Sequence, residues 1–359
     1  MVEQETFSEK PIIKVVGVGG GGGNALNRMI ENDVKGVEFI SINTDSQVLR
    51  LSKSEYRMQI GKQLTKGLGA GADPSVGEKA AIENEEEIKD LLRGSNMVFV
   101  TAGMGGGTGT GAAPIVAKIA QELGCLTVAI VTKPFTFEGK RRMQQAEEGI
   151  EKLRKYVDAL IVIPNDKILG VIEPKTSMLE AFKQVDNVLR RSVQGITEIV
   201  TIPGIINIDF ADVRKVLKAK GTSALMGIGV GEGENRAIEA ARKAISTPLL
   251  EIDINGATQA IVFITSDVDI SFEEVMLVMN EIRSASTSEI DIVYGTGFNM
   301  DLRGELIVTV VATGYPDDED EEKEIDSDNK EENKDTEEET KKIEKPGEGG
   351  KIDLPKWII

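Results

Sequence analysis

Short apolar runs at Ile12–Val18, Val37–Ile42, Met97–Val100, Leu126–Val131 and Ala159–Ile163 alternate with segments whose apolar residues come at helical spacing. Runs this short and continuous fit strands buried on both faces, so the rhythm predicts a parallel sheet covered by helices over residues 11–175. From Thr176 to Val200 the pattern becomes one long amphipathic helix. Leu179, Phe182, Leu189, Val193 and Ile196 fall at helical spacings, Ser177-Met178-Leu179-Glu180 reads as a capping box, and Pro203-Gly204 ends it. A second, smaller α/β unit is predicted over 203–315, with strands at Gln259–Ile264, Ile290–Tyr294 and Glu305–Ala312 and a helix at Phe272–Ser284. The expected fold is α/β: two units joined by a connecting helix at 176–202, after a flexible polar N-terminus at 1–10.

Past residue 315 the apolar pattern stops. Residues 317–345 hold sixteen Asp or Glu against six Lys, a composition that repels itself and cannot form a core, so 316–350 is expected to be a disordered acidic linker. Hydrophobicity returns at 351–359, where Ile352, Leu354 and Trp357, the only tryptophan, give a tether ending in an apolar peptide. That pattern predicts a docking segment that orders on a partner.

Three glycine-rich junctions interrupt the first unit. Gly103-Met104-Gly105-Gly106-Gly107-Thr108-Gly109-Thr110-Gly111 lies between a strand and a helix expected to open at Ala112-Ala113-Pro114. Glycines let backbone N–H groups converge on an anion, two threonines offer hydroxyls, and the helix N-terminus adds its dipole, so this is a phosphate loop or a flexible surface loop. Gly19-Gly20-Gly21-Gly22-Gly23-Asn24 repeats the arrangement after the first strand, which favours a polyphosphate site. Gly67–Pro74 is the third, which composition alone reads as a mobile connector. Gly17, Gly19 and Gly22 also match G-x-G-x-x-G, with Asp45 after the second strand, which keeps open a dinucleotide-dependent oxidoreductase. No G-x-x-x-x-G-K-[ST] occurs.

Composition narrows the chemistry. There is no histidine, which removes imidazole base catalysis and histidine metal ligation, so proton handling falls to carboxylates. The single cysteine, Cys125, reads as a buried small hydrophobe in a reducing compartment. Of the net charge of −18, the acidic stretch accounts for −10, and the −8 on the rest of the chain argues against nucleic acid as the main partner. The polar N-terminus and the lack of a membrane-length apolar run lead to the expectation of a cytoplasmic protein.

Phe182 and Asp186 are one helical turn apart. An aromatic ring stacks on a purine, and a carboxylate accepts from guanine N1–H and its 2-amino group; equally, the two fit a core aromatic and a solvated acid. Asp209 and Asp212, in Asn207-Ile208-Asp209-Phe210-Ala211-Asp212, share a face at a helix start. They read as a water-positioning pair or as ordinary acidic residues favoured by the helix dipole.

The string GGGTGTG at Gly105–Gly111 resembles the signature of the tubulin and FtsZ superfamily. Gly17–Ala25, Asn43-Thr44-Asp45, Lys133–Gly139, Pro164–Lys167 and Asn207–Asp212 are similar to FtsZ segments in the same order, so the resemblance spans about residues 11–315. It implies a Rossmann-like GTP-binding domain and a GTPase cycling between GTP and GDP. Phosphates would lie on Gly20, Gly21, Gly22, Gly23, Asn24, Gly103, Gly106, Gly107, Thr108 and Gly109, with Ala70 and Gly71 of the third loop approaching the terminal phosphate. Thr132 belongs to the same site by resemblance, Asn165 to the base or sugar pocket with Phe182 and Asp186, Glu138 to the ribose, and Arg142 to the phosphates. Mg²⁺ is expected on phosphate oxygens and water, with no protein metal ligands. Asn207, Asp209 and Asp212 would meet the GTP of the next subunit, so hydrolysis would require head-to-tail polymerisation. The C-terminal Asp353, Leu354, Pro355 and Trp357 resemble a peptide that binds membrane-anchoring division proteins at a mid-cell ring, although Pro355-Lys356-Trp357 departs from the commoner Pro-x-Phe form. A non-hydrolysing GTP-binding scaffold is the remaining alternative.

Overall fold

Seven strands, β1 (Ile13–Val18), β2 (Glu38–Asn43), β3 (Tyr56–Gln59), β4 (Met97–Gly103), β5 (Leu126–Lys133), β6 (Ala159–Pro164) and β7 (Thr222–Ser223), form one sheet in the order β3-β2-β1-β4-β5-β6-β7. Every neighbouring pair is parallel. The computed structural model describes residues 11–315 apart from 171, 174, 219–221, 247–253, 287 and 288. The N-terminal segment, the acidic linker and the C-terminal peptide lie outside the described residues.

Side chains along each strand alternate between two cores. Ile13, Val15, Phe99, Val128 and Ile161 face one way and meet Leu189, Val193 and Ile196 of the long helix. Val16, Val18, Val98, Val100 and Val131 face the other and meet Ala112, Val116 and Ile119. Burial on both sides is why these strands read as continuous apolar runs rather than as alternation. The first core continues into a second sheet of β8 (Leu225–Gly231), β9 (Gln259–Ser266), β10 (Asp291–Phe298) and β11 (Leu306–Thr313), ordered β10-β9-β11-β8. In it β9 and β10 are parallel, while β11 runs antiparallel to both its neighbours. Among the described residues no helix is long and apolar enough to cross a membrane.

Several local expectations change. The first glycine loop is helical from Gly19, in the helix Gly19–Glu31, while the second turns through Met104–Gly107 before the helix Thr108–Glu122, which opens four residues before the expected Ala112 and holds Pro114 inside it. Tight packing explains the glycines, since a Cβ on Gly17 would stand 2.7 Å from a Leu26 methyl and one on Gly109 2.8 Å from the Gly103 carbonyl. The long helix is Met178–Thr201, capped by the Ser177 hydroxyl accepting from the Glu180 amide at 3.2 Å. Leu179 and Phe182 are not part of its buried stripe, being 68% and 37% exposed; Ala181 and Val185 are buried instead. Strand β8 had no pattern to announce it, because Gly227, Gly229 and Gly231 occupy alternate positions. Side chains at Gly229 and Gly231 would collide with the backbone of the helix Arg236–Ile245.

Candidate nucleotide site

Strand order reverses between β1 and β4, so the segments leaving their C-terminal ends diverge and open a crevice, the usual ligand position in a doubly wound sheet. Both long glycine loops sit there. Their backbones touch: a Cβ on Gly21 would lie 3.1 Å from the Gly103 Cα, and one on Gly19, held at φ +74°, would lie 2.8 Å from the Gly109 nitrogen. The result is a cleft of about 370 Å³. It is lined by Gly20, Gly21 and Asn24 of the first loop, by Gly103 and Thr132 at the ends of β4 and β5, and by Glu138, Arg142, Asn165, Phe182 and Asp186. Met104, Pro134, Val185 and Leu189 also line it; the last two flank Asp186 on the long helix, and only their place one position before and three after it could have marked them.

The other glycine-loop residues are placed differently. Gly107 is packed, not open: a Cβ there would stand 2.8 Å from the Ala70 Cβ and 2.9 Å from the Asp73 nitrogen. The third loop is therefore fastened to the second, with Asp73 capping the helix Pro74–Glu83 by accepting from the Ser75 amide at 2.9 Å. Gly71, at φ +60°, and Gly106 face open space. Gly23 opens onto a separate hollow beside Asn27 and Ser52. Of the two threonines, Thr110 is committed to the loop itself, its buried hydroxyl accepting from the Gly105 amide at 2.9 Å. Thr108 shares a hydrogen bond with the Thr44 hydroxyl at 2.7 Å.

Two polar groups in the cleft lack protein partners. The Asn165 side-chain oxygen is buried and makes no hydrogen bond, which is costly unless a ligand donor fills the place. The Asp186 carboxyl is pushed up to about 6 by burial, with the Arg28 charge opposing. Phe182 stands beside it, oriented edge-on to Phe135 at 5.3 Å, and Phe135 stacks on Phe137 at 5.1 Å. Glu138 is already engaged: it accepts from the Phe135 amide at 2.9 Å and pairs with Arg142 at 2.6 Å. Asp45, the acid a dinucleotide site would aim at a ribose, caps the helix Ser46–Leu51, accepting from Gln47 at 2.8 Å and Val48 at 3.3 Å.

Asn207, Asp209 and Asp212 do not join the cleft. About 22 Å of helix separates Asp186 from Thr201, and the loop beyond packs on the second sheet, with the Thr296 amide donating to the Ile206 carbonyl at 2.9 Å. Arg214, one turn into the next helix, donates to the Gly124 carbonyl at 3.0 Å, just before β5 begins, whereas Thr132 of the cleft is near the end of β5. The acidic loop thus lies toward the opposite end of the sheet. Within it, Asp209 caps the helix Phe210–Leu217 by accepting from the Asp212 amide at 2.8 Å, and the Asn207 side chain accepts from the Gly204 amide at 2.9 Å.

Comparison with known proteins gives the class first. The Tubulin/FtsZ family GTPase domain matches residues 12–173, which makes the chain a tubulin-like GTPase. The FtsZ family C-terminal domain matches residues 222–316. Among solved structures, an empty FtsZ dimer from M. jannaschii is 44% identical, with a TM-score of 0.80 over 85% of this chain and 89% of that one. A tryptophan-to-tyrosine variant of M. jannaschii FtsZ is 45% identical, with a TM-score of 0.79 over 85% of this chain and 92% of that one. At 20% identity, a GTPγS-bound CetZ2 protofilament from Haloferax volcanii shares the fold, with a TM-score of 0.72 over 89% of this chain and 99% of that one. The chain belongs to the FtsZ family, which sets aside the oxidoreductase reading.

Proposed function

We propose that this GTPase assembles head to tail and completes its active site across each contact, with Asp212 of one subunit positioning the water that attacks the GTP of the next. The observation that carries this is the separation of the acidic loop from the cleft. Around the glycine loops the carboxylates of Asp45, Asp73 and Glu138 are occupied, and Asp186 stands at the base end, so the cleft by itself offers no free acid at the terminal phosphate. A polar pair at the far end of the same subunit completes it only when subunits stack. Two further facts agree: one structurally similar protein was solved as an FtsZ dimer and another as a GTPγS-bound protofilament.

In this reading the phosphates lie on the backbone amides of Gly20–Asn24 and Gly106–Gly109, with the third loop, at Ala70 and Gly71, beside the terminal phosphate. Mg²⁺ would be held by the nucleotide's phosphates and water rather than by protein ligands, and would supply charge neutralisation there. Guanine stacks on Phe182 and donates to Asp186, while Asn165 takes a base or sugar donor, Glu138 serves the ribose and Arg142 the phosphates. The filaments form the division ring on the cytoplasmic face at mid-cell, and the terminal peptide containing Asp353, Leu354, Pro355 and Trp357 tethers them to membrane-anchoring partners. The test is phosphate release with light scattering as protein concentration is varied. Turnover per subunit is expected to fall steeply on dilution, and Asp212→Ala mixed with Asp186→Ala is expected to recover part of the lost rate at mixed contacts. A turnover per subunit that stays constant down to dilute monomer would exclude catalysis in trans.

A further inference from the structure

Thr44 and Thr108 meet hydroxyl to hydroxyl at 2.7 Å, and the pair holds one proton more than that contact uses. Thr44, just past the end of β2, is fully buried, and Thr108 is 9% exposed. Among the described residues neither hydroxyl has a second hydrogen-bond partner. Two hydroxyls bring two protons, and only one of them lies in the bond between them. The other needs an acceptor, because a buried donor without one is costly. Thr44 has no opening through which to find it. Thr108 does: it is the first residue of the helix Thr108–Glu122, and a Cβ on Gly19 would stand 3.4 Å from the Thr108 Cβ, which places Thr108 at the seam where the two glycine loops touch. Thr44 is also held in place from behind. The Thr65 hydroxyl donates to the Gly61 carbonyl at 2.9 Å, lies 3.3 Å from the Thr44 carbonyl, and accepts at 3.3 Å from the amide of Gly67, where the third loop starts. Asp45, the next residue, pairs with Leu68 of that loop in an isolated β-bridge.

We propose that Thr44 is a positioning residue of the phosphate site: its hydroxyl donates to the Thr108 oxygen and so turns the Thr108 proton toward a phosphate oxygen of the nucleotide. This rests on the placement of the phosphates on the second glycine loop in the reading above. An anionic oxygen supplies the acceptor that the pair lacks, and a hydrogen bond to a charged acceptor is about twice as strong as a neutral one. The direction of the bond between the two threonines follows from burial. With Thr108 donating to Thr44, the spare proton would be shut in at the fully buried residue, whereas the reverse direction leaves it at the residue beside the glycine seam. One strand end thus sets both the Thr108 hydroxyl, through Thr44, and the start of the third loop, through Thr65 and Asp45.

The experiment measures binding of GTPγS and of guanosine to the full chain, at protein concentrations too dilute for assembly, in wild type, Thr44→Ala, Thr44→Ser, Thr108→Ala and the double variant of Thr44→Ala with Thr108→Ala. Thr44→Ala should weaken GTPγS binding about tenfold and leave guanosine, which has no phosphate, bound as in the wild type. Thr44→Ser keeps the hydroxyl and should restore the GTPγS affinity. Thr108→Ala should lose at least as much as Thr44→Ala, and adding Thr44→Ala to it should cost nothing further. Thermal unfolding of each variant without nucleotide separates folding defects from binding. Wild-type GTPγS affinity in Thr44→Ala, an equal loss for guanosine, no rescue by Thr44→Ser, or additive losses in the double variant overturns the role of Thr44. Wild-type GTPγS affinity in Thr108→Ala overturns the phosphate placement instead.

Discussion

Replacing Asp209 separates the helix cap it provides from the catalysis in trans proposed for the acidic loop. Its carboxylate accepts from the Asp212 amide at 2.8 Å and so caps the helix that carries Asp212. Asparagine caps as well as aspartate does, whereas alanine leaves the amide unsatisfied at a cost of about 1 kcal/mol. Asp209→Asn should therefore unfold with wild-type stability, and Asp209→Ala should be less stable by about 1 kcal/mol, or about 2 °C for a chain of this size. Both remove the same charge. If the pair acts on the neighbouring subunit's nucleotide, both should hydrolyse GTP poorly, by a factor of about 10² or more, while binding it normally. Urea unfolding by circular dichroism, phosphate release and nucleotide affinity on the two variants read the three quantities. Equal stability for Asn and Ala would refute the cap. Wild-type turnover in Asp209→Asn would show that the carboxylate's role ends with it.

Asp186→Ala should keep the fold but lose GTP affinity and the preference for GTP over ATP, checked by calorimetric titration with both. In Gly107→Ala the new methyl meets Ala70 and the Asp73 amide, so the third loop should be wedged away at a cost of about 1–3 kcal/mol, with nucleotide affinity falling alongside the melting temperature. Arg236, nearly buried between Glu274 at 2.5 Å and Asp269 at 3.2 Å, holds the Glu274 carboxyl down to about 2. That stabilisation is present above the ordinary glutamate range and is lost as pH falls from about 4.5 toward 2; Arg236→Met should flatten this part of the pH–stability curve and destabilise the chain by about 1–3 kcal/mol in denaturant titration. Removal of residues 316–359 should leave GTP-dependent light scattering intact and abolish co-sedimentation with adaptor-bearing vesicles.

The amino-acid pattern by itself determined the α/β class, five strands of the first sheet, the long helix and the positions of the two glycine loops, because each is a local signal: a short apolar run, a 3.6-residue period, or glycines between them. It also brought together Phe182 and Asp186, one helical turn apart. What it could not determine depends on contacts between residues far apart in the chain. Whether a glycine faces a ligand or a neighbouring backbone is one such case: Gly20 and Gly106 open outward, whereas Gly107 is closed by Ala70, and all three look alike in the sequence. Strand β8 is another, its Gly229 and Gly231 explained only by the helix lying on them. The Thr110 hydroxyl turned out to be used by Gly105, and Asp209 to be a cap, because a polar side chain takes whichever partner folding brings within reach. Only the tertiary structure separated the acidic loop from the cleft. The long helix carries the chain to the far end of the sheet, and the pairing of Ile206 with Thr296 fixes the loop there, so the distance between two motifs follows from packing and not from their spacing in the sequence.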